Sequence, residues 1–206
     1  MLIKPIKLKK VNTLATTATP TLAEVKAHLR VDHSDDDSLI NSLIYAAQEA
    51  IEHETGRALA YQTYEAAFTF WPRNFERLEL PRSPFVSLSN VSYYDHENAA
   101  QTVATSNFIV TDYGPTHILA VRNEKQFSLP TLTKDTEARV FIQFVAGPPA
   151  FAPLPEQLVP ETLKHALKLL VAHFYDTREP VAYNAQPMKV PRSIDYLLGQ
   201  HKKVRV

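Results

Sequence analysis

Residues 36–71, DDSLINSLIYAAQEAIEHETGRALAYQTYEAAFTFW, change their period halfway along, and that change decides the fold. Leu39, Leu43, Ala46, Ala47, Ala50 and Ile51 recur at steps of three and four, which puts them on one face of a helix. Asp35, Asp36 and Asp37 place negative charge at its first turn, where the macrodipole favours it, and Gly56 supplies a left-handed stop. Past Arg57 the period becomes two. Tyr64, Ala66, Phe68 and Phe70 alternate with Thr63, Glu65, Ala67 and Thr69, the pattern of a half-buried strand within Tyr61 to Trp71. A helix over about Asp36 to Thr55 therefore runs directly into a sheet.

Towards the N-terminus, Thr21 with Glu24 three residues on is a capping-box pattern, opening a short helix through Leu22, Val25 and Leu29. Residues 1–20 mix lysine with a Thr/Ala run and end at Pro20, which reads as an extended basic arm. Towards the C-terminus, strands are expected at Arg77–Leu80, Val86–Tyr94, Gln101–Val103, Phe108–Thr111, Ile118–Val121 and Arg139–Val145, with a turn over Asp95–Ala99. Pro72, Pro81, Pro84, Pro115 and Pro130 punctuate them, as edges and turns of an antiparallel sheet require. Gly147, Pro148, Pro149, Pro153 and Pro155 form a stiff connector to a helix opened by Pro160. On that helix Leu163, Leu167, Leu170, Val171 and Phe174 make one apolar stripe. Burying such a stripe is worth roughly 7 to 15 kcal/mol gross, so the helix is expected to pack on the 36–55 helix.

The expected class is α+β: a small helical bundle (helices near 22–30, 36–55 and 160–177) with an inserted antiparallel β module over about 60–146. The division that follows is 1–20, basic N-terminal arm; 21–58, helical; 59–147, β-rich insertion; 148–180, helical; 181–206, extended basic C-terminal arm. Pro180, Pro187 and Pro191 hold that last arm extended, with a short helix allowed over Ser193–Leu198.

At 206 residues, 45% hydrophobic and formally uncharged, the chain suits one globular domain and does not suit general electrostatic capture of nucleic acid. Charge is uneven all the same. The first ten residues carry Lys4, Lys7, Lys9 and Lys10 without an acid, and Lys189, Arg192, Lys202, Lys203 and Arg205 face only Asp195 at the other end. Both ends are basic and the body is acidic, so both arms are candidates for ordering against an acidic partner. The absence of cysteine removes disulfides, thiolate ligands and cysteine catalysis, and no stretch is apolar enough for a membrane span. A soluble, unsecreted protein is expected, assembled in the cytoplasm and without membrane contact.

Catalysis has no visible address. Asp32, Ser34 and Asp36 resemble the opening of a calcium loop, but Asp37 stands where glycine is needed and Leu43 where a bidentate glutamate belongs. His165 and His173 are eight apart, and His53 precedes Glu54 with no second histidine four residues on, so no zinc pair forms. Four glycines in the whole chain leave no phosphate-cradling loop and no serine elbow. The expectation is therefore no catalytic residues, no metal and no cofactor. Tyr61, Tyr64, Phe68, Phe70 and Trp71 could line a ligand groove, but their alternation is that of sheet core.

Residues 21–32 (TLAEVKAHLRVD), Asp35-Asp-Asp-Ser-Leu-Ile-Asn-Ser-Leu-Ile, Ala46-Ala-Gln-Glu-Ala-Ile-Glu and Thr55-Gly-Arg-Ala-Leu closely resemble the start of the head-tail connectors of long-tailed bacteriophages, prophages and gene transfer agents. Residues 80–91 (LPRSPFVSLSNV), Val145-Ala-Gly, residues 159–167 (VPETLKHAL) and 170–179 (LVAHFYDTRE) resemble its later blocks in the same order, so the likeness covers about residues 21–180. The resemblance implies a non-enzymatic adaptor in the virion neck. Copies would form a ring, twelve-fold, under the portal protein, extend the channel through which genomic DNA passes, and dock a tail-side stopper, tail-completion or tail-tube protein. The two basic ends fall outside the matching blocks. Their basic character makes Lys189, Arg192, Lys202, Lys203 and Arg205 a candidate clasp for an acidic surface, which the resemblance implies would be the portal, and Lys4, Lys7, Lys9 and Lys10 a second contact. A tail-associated β module binding carbohydrate or a receptor is the competing reading, and exposed strand aromatics would favour it.

Overall fold

The computed structural model describes residues 2–13, 20–71, 77–113, 116–122, 130–148, 159–177 and 192–202. It divides into a β unit, Met1–Thr16 with Ala60–Pro149, and a helical unit, Thr17–Leu59 with Ala150–Val206. The α+β class is as the two periodicities require.

In the helical unit, α1 (Leu22–Leu29) starts at the expected capping box. The Thr21 amide donates to Glu24 Oε2 at 2.7 Å and the Glu24 amide to Thr21 Oγ1 at 3.2 Å. The backbone bond from Thr21 stabilises the ionised carboxylate and lowers the Glu24 pKa. Arg30 then ends the helix in the left-handed region at φ 59°. Helix α2 (Asp37–Thr55) stops at Gly56, φ 71°, whose amide bonds Glu52 O at 3.0 Å. Asp36 does not cap its own helix. Its carboxylate accepts the Tyr175 hydroxyl of α3 (Glu161–Asp176), while Asp37 pairs with Lys26 of α1 at 2.6 Å. The acidic run thus also ties α2 to its neighbours.

Ile40, Ile44, Ala47 and Ile51 of α2 share one buried cluster with Leu163, Leu167, Leu170 and Val171 of α3, and Phe174 packs at its margin. The segment expected to be an extended C-terminal arm is instead helical over α4 (Arg192–Gly199), beyond the proposed Ser193–Leu198 by a residue at each end. Ile194 and Leu198, four apart and so on one face, enter the same cluster at 1% and 5% exposure. Two apolar side chains at that spacing offset the cost of ordering the helix. Past α4, the His201 ring nitrogen lies 2.7 Å from Thr162 Oγ1, and Lys202 pairs with Glu54.

The β unit holds two sheets among the described residues, ordered β2-β3-β9-β5-β6 and β1-β4-β8-β7. The strands are β1 (Leu2–Ile3), β2 (Lys7–Thr13), β3 (Gln62–Phe68), β4 (Arg77–Leu80), β5 (Phe85–Tyr94), β6 (Ala100–Val103), β7 (Phe108–Tyr113), β8 (Thr116–Val121) and β9 (Val140–Ala146). The described part of the expected N-terminal arm, residues 2–13, is therefore not free: β1 lies parallel to β4, and β2 pairs antiparallel with β3. Lysine-rich sequence masked a strand whose only apolar residues are Leu8 and Val11.

Tyr64 opposes Phe144 in the β3–β9 register, with ring centroids 5.8 Å apart. Trp71 stacks on Phe108 of β7 at 6.1 Å and meets Tyr93 of β5 at 5.5 Å, joining the two sheets. Gly147 has φ +119°, and a Cβ there would lie 2.1 Å from Ala60 O. Both the positive φ and that close approach demand glycine.

Gly147→Ala is expected to cost well over about 1 kcal/mol, because no rotamer relieves a backbone clash; urea unfolding would show it as a lowered midpoint. Glu52, 3% exposed, accepts the Leu59 amide at 2.8 Å and the Gln48 side-chain amide at 3.1 Å. Glu52→Ala orphans a buried donor and should cost about 1 to 3 kcal/mol in the same assay. Burial, then the nearby Arg57 charge, lowers the His201 pKa from 6.5. The unfolded chain then binds the proton more readily, so the stability held above pH 6.5 is lost as pH falls through the lower folded value. Melting measured against pH should show this loss, and His201→Asn should remove that component.

Candidate functional site

Lys4, Lys7, Lys9 and Lys10 are all exposed, and three of them lie on β2, an edge of the five-stranded sheet. Lys9 faces Glu65 across the strand pair, and Glu65 in turn accepts from Gln143 Nε2 of β9 at 2.8 Å. The register slips between Lys10 and Asn12, the bulge-like irregularity expected at a managed edge. Ile6 and Val11 flank the lysines at 47% and 45% exposure. Lys7, Lys9 and Lys10 are thus held on a paired strand, with Lys4 shortly before it.

The opposite edge of that sheet is β6, reached through a tight acidic turn. The Asp95 carboxylate accepts from the amides of Glu97 (3.0 Å) and Ala99 (2.9 Å) and from Gln101 Nε2 (2.9 Å). Those bonds, the Ala99 amide foremost, hold its pKa below the usual carboxylate value. Asn98 takes the left-handed position, φ 61°, that the turn needs. Glu97 stands outward with its side chain 77% exposed.

The C-terminal cations divide. Arg192 opens α4 and is exposed, and Lys202 sits in its ion pair with Glu54, which raises its pKa. Lys189, Lys203 and Arg205 lie outside the described residues. The structure brings the N-terminal lysines together on one edge, and places Arg192 and Lys202 at the two ends of the α4 segment.

Nothing among the described residues gathers three or more His, Asp or Glu side chains that could hold a metal. Asp36 of the calcium-like run is taken up by Tyr175. His165 meets His28 edge-on at 6.2 Å across α1 and α3, and His173 packs beside Phe174. Sequence reasoning missed His117, 5% exposed in β8, whose Nε2 accepts the Phe85 amide at 3.1 Å. The proton must then sit on Nδ1, which faces Asp112 at 3.7 Å. His117 fastens the start of β5 to the other sheet; an isolated histidine between Thr116 and Ile118 carries no sequence signal of that. Tyr64, Phe68 and Trp71 are buried as sheet core, whereas Phe70 is 42% exposed. No helix of the described residues is long and apolar enough to cross a membrane.

Residues 19–110 match the family described as phage gp6-like head-tail connector protein. No curated protein matches the chain. Solved structures that resemble it over almost its whole length include three chains from gene transfer agent particles. A chain from the neck of an empty gene transfer agent particle, computed with C6 symmetry, is 26% identical with TM-score 0.75, covering 98% of this chain and 97% of that one. A chain from the virion of the native particle is 27% identical at the same score and coverage. A third, from the native neck computed with C12 symmetry, is 27% identical with TM-score 0.72 and equal coverage. The family match over residues 19–110 and this whole-chain likeness together relate the chain to phage gp6-like head-tail connectors and to the necks of gene transfer agent particles.

Proposed function

We propose that this chain is a structural subunit of the virion neck: a connector that forms a ring of copies beneath the portal, extends the DNA channel and offers a docking surface to tail or head-completion proteins. The observation that carries the reading is the likeness of both units together to neck chains of gene transfer agent particles, with 98% and 97% of the two chains covered. The C12 symmetry of one such neck favours a ring of twelve. A ring built from one repeated contact needs surfaces and no active centre, which agrees with polar groups spent on caps, turns and inter-element ties. No turnover is assigned to it. The burial of Tyr64, Phe68 and Trp71 takes away the main support for a ligand-binding β module.

The basic C-terminal segment remains the proposed portal contact, through Lys189, Arg192, Lys203 and Arg205, with Lys202 shared with Glu54. Its test has to respect α4. Cutting the chain at Val181 would remove Ile194 and Leu198 from the helical core and forfeit about 3 to 6 kcal/mol of burial. Charge reversal at Lys189, Arg192, Lys203 and Arg205 leaves those two side chains in place. The four-fold variant should keep the melting temperature within a few degrees and lose most binding to purified portal; undiminished binding would refute the clasp. For the connector role itself, particles assembled without this protein should contain packed heads with no tail attached by electron microscopy. Complete, tailed particles would overturn it.

A further inference from the structure

We propose that copies of this chain join edge to edge: β2 of one copy pairs in parallel with β6 of the next, so that the five-stranded sheets run on from subunit to subunit. The proposal rests on the connector reading for its ring and on the strand layout for its contact.

Each step across the sheet, β2 to β3, β3 to β9, β9 to β5 and β5 to β6, is antiparallel. Four reversals leave β2 and β6 pointing the same way. Rotation about a ring axis preserves strand direction, so a head-to-tail contact between these edges is necessarily parallel. Among the described residues neither edge has a strand on its far side. Unpaired edges of this kind are templates for another chain unless they are blocked.

Charge then selects the pairing. Parallel alignment sets the start of β2, with Lys4 and Lys7 before and at its first residue, beside the start of β6, which follows directly on the Asp95–Ala99 turn. Cations at that end meet Asp95 and the outward Glu97. Pairing β2 with β2 about a two-fold axis would instead bring lysine rows together, and like charges facing each other destabilise a strand pair. The lysines thus bar the isologous contact and favour the heterologous one. Ile6 and Val11, exposed in the free chain, would be covered. Closure is feasible: twelve five-stranded sheets at about 4.8 Å per strand make a girdle of roughly 290 Å, about 45 Å in radius, far wider than a DNA duplex.

The protein has no cysteine of its own, so a pair can be introduced cleanly. With Lys7 beside Ala100, Lys9 stands beside Thr102; both are exposed, and neighbouring strands fall within disulfide reach. The full-length chain carrying Lys9→Cys and Thr102→Cys, oxidised at high concentration, should give a ladder of trimers and larger species, whereas either cysteine alone stops at dimers. Lys7→Glu or Glu97→Lys added singly should cut the ladder several-fold, the two together should restore it, and added salt should weaken it. Products no longer than dimers from the paired cysteines, or a ladder indifferent to both charge reversals, would overturn the proposal. The two readings fail separately. A ladder from a chain that is absent from particle necks sinks the connector reading and keeps the edge contact; neck incorporation without a ladder does the reverse.

Discussion

The close approach of Gly147 to Ala60 is the constraint on which the two-part architecture depends. The chain leaves the helical unit after Leu59 and returns to it past Pro149. An insertion of that length is compatible with a shared helical core only if its entry and exit lie side by side. The β3–β9 pairing, in register from Gln62↔Ala146 to Phe68↔Val140, provides that. It needs a residue without a side chain where the two strands' outer ends meet, and Gly147 is that residue. With the ends pinned, α2 and α3 pack as though consecutive, and their shared core forms from residues more than a hundred positions apart. Glu52 completes the crossing from the helical side by holding the Leu59 amide.

Much of this was legible because local chemistry and tertiary structure agree. The Thr21–Glu24 box, the Gly56 stop, the α3 stripe and the β5 turn at Asp95 all stand where residue type places them, whereas the buried face of α2 is turned from the expected one: Ala46 and Ala50 are exposed, and Ile40 and Ile44 join Ala47 and Ile51 in the core. What was not legible was set by partners remote in sequence. Lys7 to Thr13 has little strand propensity and becomes a strand because β3 offers it an edge. The short helix allowed over Ser193–Leu198 forms as α4, but its docking was not legible: only the core it shares with α2 and α3 turns Ile194 and Leu198 into buried residues. His117 and the Asp36–Tyr175 bond belong to the same class.

The candidate site moved accordingly. Sequence pointed to two basic arms; the structure retains the lysines but fixes the first set on a strand edge and seats part of the second on a packed helix. For the ring proposed here this difference matters. A free arm recruits a partner at the entropic cost of ordering itself, whereas a preformed edge offers hydrogen-bonding groups already in line, with charge choosing the neighbour. Within the β unit, the sheet edges are where the five-stranded sheet can be extended without rearrangement.

The central claim is that the chain is a stoichiometric part of the virion neck. Quantitative mass spectrometry of purified, tailed particles, with the portal protein as internal standard, addresses it most directly. The account predicts one copy of this chain for each portal subunit, retained through stringent purification. Its absence, or a level far below that of the portal, would contradict it.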